Sequence, residues 1–150
     1  MMKKNVFSSG ALSGLQKPHS VKAYYERLAQ ACGDLGWDAY VPHKHSDPIA
    51  HPHLSAREVY GIDRDQVRTS NLVIAYAGIP SLGTGQEVQI AEEHGVPVVL
   101  LFERGKLVSR MTRGSPNVIA EICFDDIEDC LSQIGKVLAD ETQVVCSPQA

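Results

Sequence analysis

Residues 71–77 read Asn71-Leu72-Val73-Ile74-Ala75-Tyr76-Ala77, and the chain then turns through Gly78-Ile79-Pro80. A nearly continuous apolar run shows no polar alternation, so both of its faces must be covered. That is the mark of a strand in the middle of a parallel sheet. Val96 to Phe102 is a second run of the same kind. Outward from this pair, strand-like and helix-like segments alternate. Asn5 to Ser9 is a short first strand that ends at Gly10. Val21, Tyr24, Leu28, Cys32 and Leu35 follow at steps of 3, 4, 4 and 3, one face of a helix that Ser20 can cap and Gly36 stops. Trp37 to Val41 is a second strand. Ser55-Ala56-Arg57-Glu58 is a capping box and opens a helix that runs to about Thr69. Gln86 to His94 is expected to be a short helix, Asn117 to Phe124 a fifth strand, and the stretch after Asp125 a last helix buried through Ile127, Cys130, Leu131, Ile134, Val137 and Leu138. The expected fold is α/β: a single-domain, doubly wound, five-stranded parallel sheet of flavodoxin-like or Rossmann-like type, ordered 2-1-3-4-5, with helices on both faces. The domain is expected over 1–140, with a loose tail at 141–150. Such sheets bind ligands beyond the carboxyl ends of their strands, where the winding reverses. The loops after the first and third strands then lie side by side.

The chain has 150 residues, the size of one domain. It is 43% apolar and 21% charged, with a net charge of -4. This balance gives no bulk attraction to phosphate polymers or anionic lipid, so neither a nucleic acid polymer nor a membrane is an expected partner. No apolar run approaches the roughly 20 residues of a bilayer span. Met1-Met2-Lys3-Lys4 leads straight into the first strand with no apolar h-region, and the reading is cytoplasmic. Cys32, Cys123, Cys130 and Cys146 form no C-x-x-C pair, in keeping with reduced thiols.

The loop after the third strand reads Pro80-Ser81-Leu82-Gly83-Thr84-Gly85-Gln86-Glu87. Gly83 and Gly85 allow bends and close approach of a ligand, helix-opening amides can hold an anion, and the Ser81 hydroxyl adds a donor. No Lys follows the glycines and G-x-G-x-x-G is absent, so this is neither a Walker loop nor a dinucleotide fingerprint. Glu87 has two readings. With Thr84 it matches a capping box. Beside an anion-binding loop it is also a carboxylate able to attack the anomeric carbon of a nucleoside or sugar phosphate. Asp63 and Asp65 are either solvated helix charges or, if that helix packs across the site, part of it. His43, His45, His51 and His53 form H-x-H…H-x-H in a proline-rich loop. They read as exposed side chains, a lid, or a metal set, but no Cys or carboxylate completes a familiar ligand pattern.

From Asn71 to Gly95 the sequence resembles the signature of the nucleoside 2-deoxyribosyltransferase family, and within it most resembles the 2'-deoxynucleoside 5'-phosphate N-hydrolases. The motif that carries the likeness is Pro80-Ser81-Leu82-Gly83-Thr84-Gly85-Gln86-Glu87. Val6 to Gly14 is similar to the family's first strand and glycine turn, and Leu107 to Gly114 to a segment that supplies a serine to a neighbouring subunit's site. The resemblance implies an N-glycosidase that cleaves the base–sugar bond of a (deoxy)nucleoside 5'-monophosphate, with Glu87 as nucleophile and Asp63 as its acidic companion. It implies that Ser81 and Ser109, Gly10 of the first turn, and the Gly83–Gly85 loop bind substrate. Phe7 stands where the family often carries a tyrosine, and Ala11 and Ser13 where the N-hydrolases carry a phosphate-binding serine and arginine. No metal and no organic cofactor is implied, and the assembly is a homodimer or a dimer of dimers. Two alternatives remain: a 2-deoxyribosyltransferase exchanging bases on free deoxynucleosides, and a non-catalytic nucleotide-binding module.

Overall fold

The computed structural model describes residues 3–139, so the tail expected at 141–150 and Cys146 lie outside it. Five strands form one sheet: β1 (Asn5–Ser9), β2 (Asp38–Tyr40), β3 (Leu72–Tyr76), β4 (Val98–Glu103) and β5 (Val118–Phe124). Their order is β2-β1-β3-β4-β5 and every pairing is parallel, as the apolar runs predict. All of β3 is buried, as is β4 up to its last residue. Alternation along these strands divides the core in two. Val6, Ile74 and Leu101 face α1 (Pro18–Asp34) and α6 (Ile127–Ala139), meeting Leu28, Cys32, Cys130 and Ile134. Phe7, Val73, Ala75 and Leu100 face the other way, toward Val67 at the end of α3 (Ala56–Arg68) and Val88 and Ala91 of α4 (Leu82–Glu93). Cys32, Cys123 and Cys130 are free thiols, and the two on helices are buried where the helical spacing puts them.

Three elements differ from the sequence reading. The first helix opens at Pro18 after Lys17, not after Ser20. Proline suits that position because its ring presets the helical φ and the missing N–H would have been unpaired anyway. A one-turn helix, α2 (His43–Ser46), sits inside the histidine loop. Most consequential, α4 starts at Leu82 rather than Gln86. Ser81 is the cap: its backbone is extended and its Oγ accepts the Thr84 N–H at 3.2 Å. Gly83 and Gly85 therefore lie in a helical turn, where an added Cβ would meet only open space or an ordinary contact.

The loop from 42 to 54 is strapped down, which matters for the site it borders. Asp47 is 1% exposed; its Oδ2 accepts the N–H groups of Ile49 and Ala50, and Lys22 of α1 lies 2.7 Å from its Oδ1. The Lys22 ammonium and the two amides hold this carboxyl below the usual range against the opposing effect of burial. His43 Nε2 lies 3.1 Å from Glu26 Oε1 on the same helix. The expected capping box opens α3 as read, with Ser55 and Glu58 each closing on the other's backbone.

Gly10 ends β1 under a steric demand. A Cβ there would fall 2.4 Å from the Tyr25 ring, whose hydroxyl donates to the Ala11 carbonyl at 3.0 Å. Gly10→Ala is expected to push Tyr25 off this bond and lower stability by about 1–3 kcal/mol. Gly33→Ala, where nothing lies within 4 Å of the added carbon, is expected to raise it by roughly 0.5–1 kcal/mol. Urea unfolding of the two variants checks both signs.

Candidate active site

The strands β1 and β3 end side by side, and the turn after β1, the opening of α4, the inner side of α3 and the histidine loop enclose a cavity of about 720 Å³. Gly10, Ser81, Gly83, Asp63 and Glu87 all line it, so five residues read from sequence do converge. Helical spacing brings further wall residues with them. Tyr60 comes with Asp63 on α3, and Thr84 with Glu87 on α4, each at i, i+3.

Glu87 sits in the second turn of α4, on the side that carries the buried Thr84, Val88 and Ala91. The capping-box reading fails, since Ser81 rather than Thr84 caps the helix and leaves the Thr84 hydroxyl without a partner. Glu87 Oε2 is buried and has no hydrogen-bond partner. Loss of hydration, aided by the nearby Asp63 charge, lifts this carboxyl to about 8, while the Ser9 hydroxyl pulls the other way. The first turn of a helix favours an ionised carboxylate. One turn further in, burial outweighs that field. Asp63 faces the same space from α3. Burial raises it to about 6 against an opposing contact with Ser46, and its Oδ1 also lacks a partner. Two coupled carboxyls of this kind titrate as a pair and hold about one proton between them near neutral pH.

The wall contains two more unsatisfied groups, Thr84 Oγ1 and His51 Nδ1. Buried polar atoms in folded proteins are nearly always hydrogen-bonded. Four such gaps around one cavity call for a ligand rich in donors and acceptors. Arg64, beside the Tyr60 ring at 5.9 Å, is the one Lys or Arg among the lining residues.

The remaining candidates fall elsewhere. Phe7 does not line the cavity: it is fully buried in the α4-side core and stacks on Tyr40 at 5.6 Å. Its place in the substrate-binding set is therefore corrected to a supporting one. Tyr40, pushed up to about 12 by burial and then by the Asp63 charge, stacks on Phe7 and also on His45 at 4.4 Å. Asp65 is the solvated charge of the pair, bound to Arg68 at 2.9 Å. Gly85 and Ser109 line a second hollow of about 450 Å³, which shares Pro80, Ser81, Leu82 and Thr84 with the first. Ser109 caps a one-turn helix, α5 (Arg110–Arg113), by accepting from Thr112 N at 3.3 Å. The Arg113 guanidinium is engaged by Glu121 through two hydrogen bonds. Of the four loop histidines, His43 goes to Glu26, His45 to Tyr40 and His51 to the cavity wall, with His53 tilted against His51 at 6.1 Å, and no three potential metal ligands converge among the described residues.

No family model matches the chain. A chain from Methanosarcina mazei named as a candidate 2'-deoxynucleoside 5'-phosphate N-hydrolase is 27% identical over 134 residues, spanning 88% of this chain and 81% of its own. The structure of a CMP N-glycosidase from Clostridium botulinum superposes with a TM-score of 0.69 at 21% identity, over 87% of this chain and 97% of that one. A 2-deoxyribosyltransferase from Bacillus psychrosaccharolyticus superposes with a TM-score of 0.71 at 17% identity, over 97% and 99%. No helix among the described residues is long and apolar enough to cross a membrane. With five parallel strands ordered about a carboxyl-lined switch point, the chain is similar in sequence to proteins named as 2'-deoxynucleoside 5'-phosphate N-hydrolases and shares its fold with a solved 2-deoxyribosyltransferase.

Proposed function

We propose that the protein is a cytoplasmic N-glycosidase that hydrolyses the base–sugar bond of a nucleoside 5'-monophosphate. The observation that carries this reading is the pair Glu87 and Asp63, two half-buried carboxyls that face one cavity, each with one oxygen buried and unpartnered, the Asp63 charge acting on Glu87. Glycosidic cleavage needs two such groups, one to attack and one to protonate the leaving group. The Glu87 carboxylate attacks C1' as the C1'–N bond breaks, and Asp63 donates its proton to the departing base. Water then attacks C1' of the glycosyl-enzyme, freeing Glu87 and returning a proton to Asp63. In the empty site the shared proton favours Glu87, so attack draws on the arrangement with that proton moved to Asp63. Positive charge growing at C1' stabilises that arrangement. No metal or organic cofactor takes part in these steps.

The phosphate has its place at the opening of α4, where Ser81 and the first amides point outward. Around the second hollow Leu82, Leu107 and Met111 are 92%, 98% and 87% exposed. These apolar side chains beside Ser81 and Ser109 suit a second copy of the chain. A two-fold dimer would bring Ser109 to the neighbour's Ser81. A second reading, base exchange on free deoxynucleosides, draws on Ala11 and Ser13, which give the first turn no cation for a phosphate.

Glu87→Gln is expected to abolish base release, by about a thousandfold or more, with the fold intact. Retention within about tenfold, or 1.4 kcal/mol of barrier, removes Glu87 from the mechanism. The same variant carries a stability signature. The folded Glu87 carboxyl titrates at about 8, above its ordinary 4.5, so the folded state binds more protons and loses stability as pH rises between those values. Thermal melts should show Glu87→Gln and wild type equal near pH 4 and the variant ahead at pH 8.

The rate is expected to follow a bell with limbs near 6 and 8, the two steps of the coupled pair. Asp63→Asn should slow poor leaving bases far more than activated ones. Equal slowing across leaving groups makes Asp63 a positioning residue instead.

Ser109→Ala should weaken the monophosphate about ten- to a hundredfold, the loss of a hydrogen bond to a charged group, and leave the free nucleoside little changed. Mixing it with excess Glu87→Gln protein, after subunit exchange, should restore monophosphate turnover above the sum of the two. A fully active monomer in sedimentation would refute the shared site.

A further inference from the structure

Ser9 is the last residue of β1 and is 1% exposed. Strand alternation gives it the face of Phe7, toward α3 and α4, whereas Val6 belongs to the opposite core. In the sheet it pairs with Ala75 of β3, which is buried on that same α4 side. The next residue, Gly10, lines the catalytic cavity. Glu87 reaches this spot from the helix above, and the Ser9 hydroxyl and the Glu87 carboxyl interact. Neither Ser9 Oγ nor Glu87 Oε2 has a hydrogen-bond partner, although both are buried. A hydroxyl placed in a core without a partner is a standing penalty on folding, and here it stands beside a carboxyl with the complementary need.

We infer that Ser9 is the positioning residue of the Glu87 carboxylate: its hydroxyl donates to the carboxylate once it ionises, holding one oxygen against the sheet while the other is directed at the sugar. This rests on the nucleophilic role of Glu87 proposed above. The groups that face Glu87 are few. Asp63 from α3 disfavours its ionised form, and the Tyr25 phenol of α1 is itself held protonated, by burial first and then by the Glu87 charge. Ser9, from β1, is the one group among them that favours the carboxylate. The attacking species therefore depends on a single hydroxyl, set by strand register, for both its charge and its aim.

Ser9→Ala removes that hydroxyl and nothing else, and as the smaller residue it should melt at or above the wild-type temperature. Its kcat should fall about tenfold with KM nearly unchanged, and the alkaline limb of its pH profile should move up by about one pH unit. Ser9→Cys, with a weaker donor in the same place, should fall between the two. Carbon-13 NMR titration of the Glu87 carboxyl reads the contact with no substrate present, and its midpoint should rise in Ser9→Ala. An unmoved midpoint overturns the inference whatever the wild-type activity. So does a Ser9→Ala protein that fails to fold, because the hydroxyl would then be holding the strand rather than the carboxylate. A midpoint that rises in a protein that releases no base would leave the Ser9 contact standing and sink the N-glycosidase reading instead.

Discussion

Every residue of β3 is buried, and the rest of the molecule answers that requirement. A strand with no exposed face needs helices on both sides, and parallel neighbours joined by crossovers supply them. To cover both faces the chain must wind one way from β1 to β2 and the other way from β3 to β5. The reversal leaves a gap at the carboxyl ends of β1 and β3, and nothing in the sheet fills it. α3 and α4 form its sides, and the loop held by Lys22, Asp47, His43 and Glu26 forms its rim. The site is thus a consequence of how a fully buried strand is covered, and its residues are those that happen to end or begin elements there.

What the gap does chemically follows from its dryness. A carboxyl at a helix N-terminus in water would be a strong acid with a weak interest in carbon. Moved one turn inward and enclosed, Glu87 holds its proton to about 8 and lies close enough to Asp63 to feel its charge. Such a pair cannot lose both protons at neutral pH without strong repulsion, so one proton stays in the site. In the function proposed above, one of these carboxyls attacks and the other donates, which is the minimum equipment for breaking a glycosidic bond.

Much of this was legible in the residues. The runs at 71–77 and 96–102 fixed a central parallel pair, and the observed strand order is the one they implied. The Ser55 capping box marked the start of α3 to the residue. Glu87, Asp63, Ser81, Gly83 and Gly10 were read as site residues and do share a cavity. The start of α4 was not legible in this way, because Ser81 and Thr84 are both good caps and only tertiary context chooses between them. That choice puts Glu87 in the second turn rather than the first, where burial rather than the helix N-terminus governs its charge. Phe7 was misplaced for a related reason: likeness by position cannot reveal which way a strand residue points, and Phe7 points into the core. Ser9 carries no signal in the sequence, because a serine at a strand end looks like the beginning of a loop. Thr84, His51, Tyr60 and Arg64 were within reach of helical spacing and loop length, but needed the closed cavity to give them meaning.

The unsatisfied atoms of the cavity connect stability to function. Glu87 Oε2, Asp63 Oδ1, Thr84 Oγ1, His51 Nδ1 and, behind them, Ser9 Oγ are all buried without partners. Each such group costs about 1–3 kcal/mol in an empty fold. A chain under pressure for stability alone would fill these places with Ala, Val or Leu, as it has at Ala75, Val88 and Ala91 on the same face. Five of the polar gaps lie instead on the cavity wall or just behind it. The sheet holds them there because its own core, covered on both faces, tolerates the loss. A ligand carrying hydroxyl groups is the kind that would satisfy the cavity-facing ones together, and binding it would recover at the site part of what folding gave up there.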